Sequence, residues 1–521
     1  MKLSNYFGLR STRQNQAIPG SNQVRNSAGG FVWKLDPWMR LDRFLILGTE
    51  GGTYYIGESK LTVENASNTV KLIEEDGLRV VRQIVEISQA GRAPKQDAAI
   101  FALALCSAFG NDDVRREALA SLPKVARTGT HLFQFAAEVE QMRGWGRALR
   151  RAVGDWYLEK SPEQLAYQAV KYQQRNGWSH RDLLRLSHPR ALDARMNGVL
   201  QWIVKGDSDE AGPQIEAFEK LKTAADSTEA AKIIREAKLP REAVPTELLN
   251  HAEVWEALLE EMPMTAMLRN LATMTRVGLL QKGSEAAKVV IERLLDESRV
   301  KAARVHPLAV LIANRTYAQG HGFRGSNTWD PVRGVVDALD DAFLLAFRGL
   351  ESSGKRWVIG LDVSGSMGCS MSGTPVSCAE GAAAMTLAAL WAEPEATVMA
   401  FSDVFKQLDL RKGMTLETAM KRTNNMNFGG TDCSLPMTWA MKNHVEADVF
   451  VVYTDNETWA GDVHPVQALR AYRQRSGIDA KLIVVGMASS GFTIADPDDP
   501  GMLDIVGFDA AAPTVMREFA L

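Results

Sequence analysis

Trp357-Val358-Ile359-Gly360-Leu361-Asp362-Val363-Ser364-Gly365-Ser366 is the stretch on which the fold turns. It opens as an apolar run with β-branched side chains, the composition of a buried strand, and ends in an Asp, Ser and Gly turn. Three further runs downstream read the same way: Ala396 to Phe401, Ala447 to Tyr453 and Ala480 to Gly486. Helical stretches lie between them, Glu380 to Trp391, Ser434 to Val445 and Val466 to Ser476. The alternation predicts a doubly wound, mostly parallel α/β sheet over residues 355–521. Ligands of such sheets gather outside the carboxyl ends of the strands, where this sequence places its polar residues.

Working outward, the chain before Gly354 has another character. From about Leu61 to Gly349 the apolar spacing is helical almost throughout, with start signals every 15 to 25 residues. Ser161-Pro162-Glu163-Gln164 is a capping box with Pro at the first helical position, and Ser179-His180-Arg181-Asp182 repeats it with a shorter acid. A long run of helices with no strand between them predicts an α-solenoid of divergent, HEAT-like pairs. The expected division is a helical repeat module over 1–354 and the α/β domain over 355–521, with residues 1–60 able to pack on the second domain.

At 521 residues, 45% hydrophobic and 24% charged, the chain is globular and too long for one small domain. Its longest apolar stretch, Ile100 to Ala108, is half a bilayer span. The N-terminus carries no secretory pattern. The four cysteines, Cys106, Cys369, Cys378 and Cys433, show no paired spacing, so neither a disulfide framework nor a zinc knuckle is expected and a reducing cytoplasm is the default. The net charge of −3 conceals an asymmetry: from Trp357 onward 11 Lys and Arg face 20 Asp and Glu, while residues 1 to 356 carry 49 against 43. A basic part suggests an anionic partner such as nucleic acid; an acidic part with clustered hydroxyls suggests a metal site.

The acidic part supplies that cluster. Asp362-Val363-Ser364-Gly365-Ser366 ends the first strand, Gly429-Gly430-Thr431-Asp432 opens the helix near Ser434, and Asp455 follows Val451-Val452-Tyr453-Thr454. Few carboxylates, several hydroxyls and retained water are what Mg²⁺ or another hard divalent cation asks for. The turns are also compatible with plain cap and turn roles. The arrangement resembles the metal-ion-dependent adhesion site of von Willebrand factor A domains. That resemblance implies Ser364, Ser366 and Thr431 as direct ligands with Asp362 and Asp455 nearby, some through water, and one position left for an acidic group or solvent. Acyl-phosphate-forming hydrolases place an Asp nucleophile at the same strand end, but they need a second Asp where this chain has Ser364. No GxxxxGK[ST], GxSxG or HExxH pattern occurs, so no catalytic residues are assigned.

In the basic part, Arg143 to Arg190 contains ten Lys and Arg against four acids. Helical spacing puts Gln164, Gln168, Lys171 and Arg175 on one face, and Arg181, Arg185 and His188 on another. With Tyr167, Tyr172 and Trp178 interleaved, these faces suit phosphates and unstacked bases, or are solvated helix faces over core aromatics.

Asn26-Ser27-Ala28-Gly29-Gly30-Phe31-Val32-Trp33 and Arg43-Phe44-Leu45-Ile46-Leu47-Gly48-Thr49-Glu50-Gly51-Gly52-Thr53-Tyr54-Tyr55 strongly resemble the TROVE module of Ro autoantigen proteins. Ala126 to Thr130, Val170 to Tyr172, Asn176 to His180 and Tyr317 to Gly320 match as well, and the order covers essentially the whole chain. It is identified as a bacterial member of the Ro family. The resemblance implies a ring of HEAT-like repeats closed by the von Willebrand factor A domain. It also implies Y RNA on an outer basic surface, and single-stranded 3′ ends of misfolded or structured RNA in a central hole. The implied outer residues are Lys171, Arg175, Arg181, Arg185 and His188; the implied hole residues are Arg127, His131 and Arg324. An exoribonuclease such as polynucleotide phosphorylase is the implied partner in RNA quality control, with the protein a cytoplasmic monomer and a binder rather than an enzyme. The alternatives are an adhesion-type protein-recognition module and a Mg²⁺-dependent phosphoesterase or nuclease. The Cys369 to Ala379 loop, rich in Gly, Ser, Cys and Pro, is placed to cover or widen the metal turn.

Overall fold

The structure, a computed structural model, describes residues 11–303, 305–322, 326–345, 347, 350–424 and 429–521. Its helical module begins with Pro37–Leu47, followed by a 33-residue helix, Glu58–Ala90, interrupted where Asp76 leaves helical geometry (φ −150°, ψ 74°). The next helix, Asp97–Phe109, is apolar on nearly every side, as a helix enclosed by others must be. Glu58–Ala90 and Gly129–Met142 pack against it, and helices continue to Arg333–Leu345, each against its neighbours. Both capping boxes form: Ser161 with Gln164, and Ser179 with Asp182.

Two short strands, β1 (Val24–Arg25) and β2 (Phe31–Lys34), precede the helices. A second pair breaks the helical run. The helix expected to carry Arg175 is Pro162–Lys171 and stops at Lys171; β3 (Gln174–Arg175) and β4 (Trp178–Ser179) then pair antiparallel. Asn176 and Gly177 join them, with φ of 51° and 79°. Two consecutive positive φ values are what the tightest hairpin turns require, and Asn-Gly is the pair that adopts them most readily. Turn chemistry therefore overrides the 4-3-4 spacing that suggested one continuous helix face.

The α/β domain is a six-stranded sheet built from β5 (Trp357–Asp362), β6 (Thr397–Phe401), β7 (Phe405–Gln407), β8 (Val449–Thr454), β9 (Lys481–Gly486) and β11 (Met502–Val506), in the order β11-β9-β8-β5-β6-β7. All pairings are parallel except β6 with β7. Every residue of β5 and β8 is buried, as central strands covered on both faces demand. One face shares an apolar core with the helical module; the other packs on Val32, Trp33 and the helices Leu435–Lys442 and Pro465–Ser476.

Both ends of the helical arc meet this domain. At the N-terminal end, β2 pairs with β10 (Phe492–Thr493), Arg43 donates to Asp504 in a fully buried ion pair, and Arg92 makes a two-pronged pair with Asp509. At the other end, Arg315 lies 3.6 Å from Glu380, and Asp340 accepts from Leu416 N at 2.9 Å. The arc is thereby closed into a ring.

Candidate functional site

The sheet brings the predicted metal residues to one edge. Asp362, buried at the end of β5, accepts from Ser364 N at 2.9 Å and from the Thr454 hydroxyl at 2.8 Å. The Ser364 and Ser366 hydroxyl oxygens are 3.2 Å apart. Asp455 accepts from Glu457 N at 3.1 Å through one oxygen, while its other oxygen is buried without a hydrogen-bond partner. Burial and then the Asp455 charge push the Asp362 carboxyl up; burial pushes Asp455 up, against the Ser366 hydroxyl. Thr431 is buried, and its carbonyl accepts from Trp459 N and Ala460 N at 3.0 Å, which clamps the Gly429-Gly430-Thr431 loop beside this edge. Asp432 is spent locally, accepting from Ser434 N and the Gln14 amide.

Two facing buried carboxylates, an orphaned carboxylate oxygen and two neighbouring hydroxyls fit a small hard cation. Among the described residues no group of three or more His, Cys, Asp and Glu is placed to hold a metal, so the donor set is one of hydroxyls and two acids, not one for zinc.

The two N-terminal segments quoted above flank this edge, which the sequence did not reveal. Ala28 N donates to Glu457 at 2.9 Å and Asn26 donates to the Thr458 carbonyl at 2.9 Å. A Cβ on Gly30 would lie 1.9 Å from the Thr458 carbonyl, so only glycine allows this approach. Tyr55 stands close enough to feel Asp455 and Glu457: burial first, then those charges, push its hydroxyl up to about 12. Glu457, raised to about 7 by burial and then Asp455, is a further acid at this edge that sequence reasoning missed; its place two residues after Asp455 was the available signal.

The basic faces are rearranged. Arg181 and Arg185 sit exposed on the helix His180–Ser187, but His188 ends that helix as its left-handed cap (φ 46°). Arg175 is exposed on the hairpin, off the helix that carries Lys171. Lys171 is half-buried, donates to the Tyr167 hydroxyl at 2.9 Å, and shares a small groove with Arg235, Arg241 and Glu242. Gln168 accepts from Gly129 N, so it is structural. The aromatics are partly spent as well: Trp178 packs on Trp145 with ring centres 5.3 Å apart, and Tyr167 and Tyr172 are half-buried. In exchange the structure adds Arg147, Arg150 and Arg151, exposed on Arg147–Leu158, a helix packed on His180–Ser187. Among the described residues, Arg147, Arg150, Arg151, Arg175, Arg181, Arg185 and Arg190 are all exposed and none is in an ion pair.

Of the residues implied for a hole, Arg127 and His131 come together. Arg127 donates to the Ser88 carbonyl at 3.0 Å, and His131, pushed down to about 4 by burial and then by Arg127, begins the helix capped by Thr128. Arg324 lies outside the described residues.

The Ro60 vWA domain model matches residues 356–520, and the TROVE domain model matches residues 24–239 and 213–316. The chain belongs to the Ro60 family. It is 46% identical over 507 residues to an RNA-binding protein RO60 of Deinococcus radiodurans, covering 96% of this chain and 95% of that protein. To an RNA-binding protein RO60 of Caenorhabditis elegans it is 38% identical, covering 98% and 92%. The crystal structure of the Deinococcus radiodurans RO (RSR) protein superposes with a TM-score of 0.71 at 44% identity, covering 93% of this chain and 99% of that one. The Ro60 architecture, a closed helical ring with a von Willebrand factor A domain, is thus the architecture of this chain. Among the described residues no helix is long and apolar enough to cross a membrane.

Proposed function

We propose that this chain is a non-catalytic RNA-binding ring. Its unpaired arginine face takes a structured RNA of the Y RNA class, and its central hole takes single-stranded 3′ ends of misfolded or structured RNA. The observation that carries the reading is the set of seven exposed arginines, none in an ion pair, on elements packed side by side. Such a face gains by trading counterions for phosphates, and it reads shape more than sequence. Handing RNA to an exoribonuclease such as polynucleotide phosphorylase, as a cytoplasmic monomer in RNA quality control, extends the same reading. The relatives named as RNA-binding proteins support its first part.

A hard divalent cation, Mg²⁺ for preference, belongs to the same proposal. Ser364, Ser366 and Thr431 would hold it with Asp362 and Asp455, and when bound it offers a Lewis-acidic position to an acidic group or to solvent. Addition of Mg²⁺ raises the melting temperature of the wild type, and Asp455→Ala abolishes the gain. No gain in the wild type removes the metal from the proposal.

The deciding experiment is filter binding at about 50 and 200 mM salt, where phosphate contacts dominate, with a blunt structured RNA and one bearing a single-stranded 3′ tail, recovered afterwards for length. Tail-enhanced, salt-sensitive binding of intact RNA is expected. Weak binding indifferent to the tail gives way to the adhesion-module reading, and shortened RNA to the nuclease.

A further inference from the structure

Cys369 and Cys378 take no part in the functions above, and their sequence spacing forms no motif. The fold nevertheless sets them face to face. An isolated antiparallel bridge joins Ser370 to Ser377, which makes residues 369 and 378 the next opposed pair, and Cys378 N donates to the Cys369 carbonyl at 3.0 Å. Directly opposed antiparallel residues have Cα atoms about 4.5–5.5 Å apart, inside the window that a disulfide spans. The two Sγ atoms are already in contact at 3.6 Å. Side-chain rotation, with the backbone in place, covers the remaining distance.

The environments of the two thiols differ. Cys369 is half-buried, its sulfur facing the Cys378 thiol. Cys378 is buried behind it, its sulfur 3.5 Å from the Met487 carbonyl. A half-buried thiol backed by a second in contact is the arrangement of an oxidisable cysteine with its resolving partner. Cys106 and Cys433 are fully buried.

We propose that Cys369 and Cys378 are a hydroperoxide-responsive dithiol that closes to an intramolecular disulfide beside the metal turn. The Cys369 thiolate attacks the peroxide O–O bond, giving a sulfenic acid and releasing one water from hydrogen peroxide. The Cys378 thiol then attacks that sulfur, forming the S–S bond and releasing a second water. Two thiols are oxidised and one peroxide is reduced. Closure ties the base of the 370–377 loop, whose Gly373 lies against Glu50 and Gly51 of the N-terminal strap, so the bond stiffens the seam between strap and metal turn.

The test uses the full-length protein, reduced and then exposed to graded hydrogen peroxide before alkylation and peptide mapping. Two of the four thiols disappear together, one linked peptide joins Cys369 to Cys378 with a mass lower by two hydrogens, and a dithiol reductant restores both. Cys369→Ser abolishes the linked peptide. Cys378→Ser leaves Cys369 to advance to sulfinic acid at the same dose. Wild-type Cys369 accumulating as sulfinic acid beside an unmodified Cys378 overturns the proposal, as does a disulfide between two chains. The wild-type map decides alone if the Cys378 variant fails to fold.

Discussion

Two stretches of the same helical module differ in how much of their positive charge is paired within the chain. Between residues 213 and 302, seven cations (Lys222, Lys232, Arg235, Lys238, Lys288, Arg299 and Lys301) each lie within 4.0 Å of a carboxylate. Between residues 147 and 190, seven exposed arginines have no such partner among the described residues. Both surfaces are helical, solvated and rich in charge, so propensity and burial do not separate them. What differs is whether the charge has been answered within the chain. Unanswered like charges repel one another and cost stability unless a partner brings the opposite sign. Composition alone, read over windows, shows an excess; pairing shows where that excess is available.

The sharpest way to break this comparison is to reverse charge on each side of it. Arg175→Glu, Arg181→Glu and Arg185→Glu together should weaken binding of a structured RNA by about 100-fold near physiological salt and lower the salt slope by about 2 to 3. The matched triple Lys232→Glu, Lys288→Glu and Lys301→Glu should leave affinity within about threefold. Filter binding over a salt series checks both. Equal losses in the two triples would mean that net charge, not unpaired arginine, governs binding.

A second prediction carries the comparison to a charge that is buried instead of exposed. Asp340, at the far seam of the ring, accepts from Leu416 N and from the Asn314 amide, and burial raises its carboxyl to about 6. Its neutral form is the one the fold prefers. The contribution is therefore complete below the unfolded value near 3.8 and is lost as pH rises through about 6, a change of about 2 kcal/mol. Denaturant unfolding between pH 4 and 7, roughly the window of that shift, should show this decline in the wild type and a flatter profile in Asp340→Asn. An unchanged slope in the variant would take Asp340 out of the seam's pH dependence.

Much of this was legible in the sequence, and the failures have physical causes. The strands β5, β6, β8 and β9 announced themselves because fully buried parallel strands read as unbroken apolar runs. The short strands β7, β2 and β10 did not, and in β11 the buried Asp504 interrupts the apolar run. Asp362, Ser364, Ser366 and Asp455 were legible because strand ends and turns fix them locally. Glu457 and Tyr55 were not, since their approach to the same sheet edge depends on the N-terminal segments folding across more than 400 residues of chain. Arg175 was misplaced because helical spacing was followed up to an Asn-Gly pair whose hairpin turn claims Gln174 and Arg175 as its first strand. Arg147, Arg150 and Arg151 were counted in the basic stretch but not singled out, because the pairing state of a side chain is a three-dimensional property.

The hairpin offers a smaller, local test of the same face. Gly177, at φ 79°, holds the turn that sets Arg175 opposite Trp178. Gly177→Ala should cost about 1 kcal/mol of stability through left-handed strain. Its loss of RNA affinity should be smaller than that of Arg175→Glu, because the charge remains while its position loosens. A greater loss would mean that the hairpin backbone, and not the guanidinium, makes the contact.

The smallest effect is the one on which the comparison finally rests. Lys232 and Lys301 are well exposed in their pairs with Glu236 and Glu297, and each such pair gains little Coulomb energy in water while ordering two long side chains. Lys232→Ala and Lys301→Ala should each shift the unfolding free energy by less than about 0.5 kcal/mol. If they do, pairing in the 213–302 arc is no device for holding the ring together; its effect is to answer within the chain seven cations that RNA could otherwise engage. A loss of about 2 kcal/mol from either substitution would reverse that inference: the pairs would then be structural, and the bare arginines between 147 and 190 would mark only a stretch that folds without them.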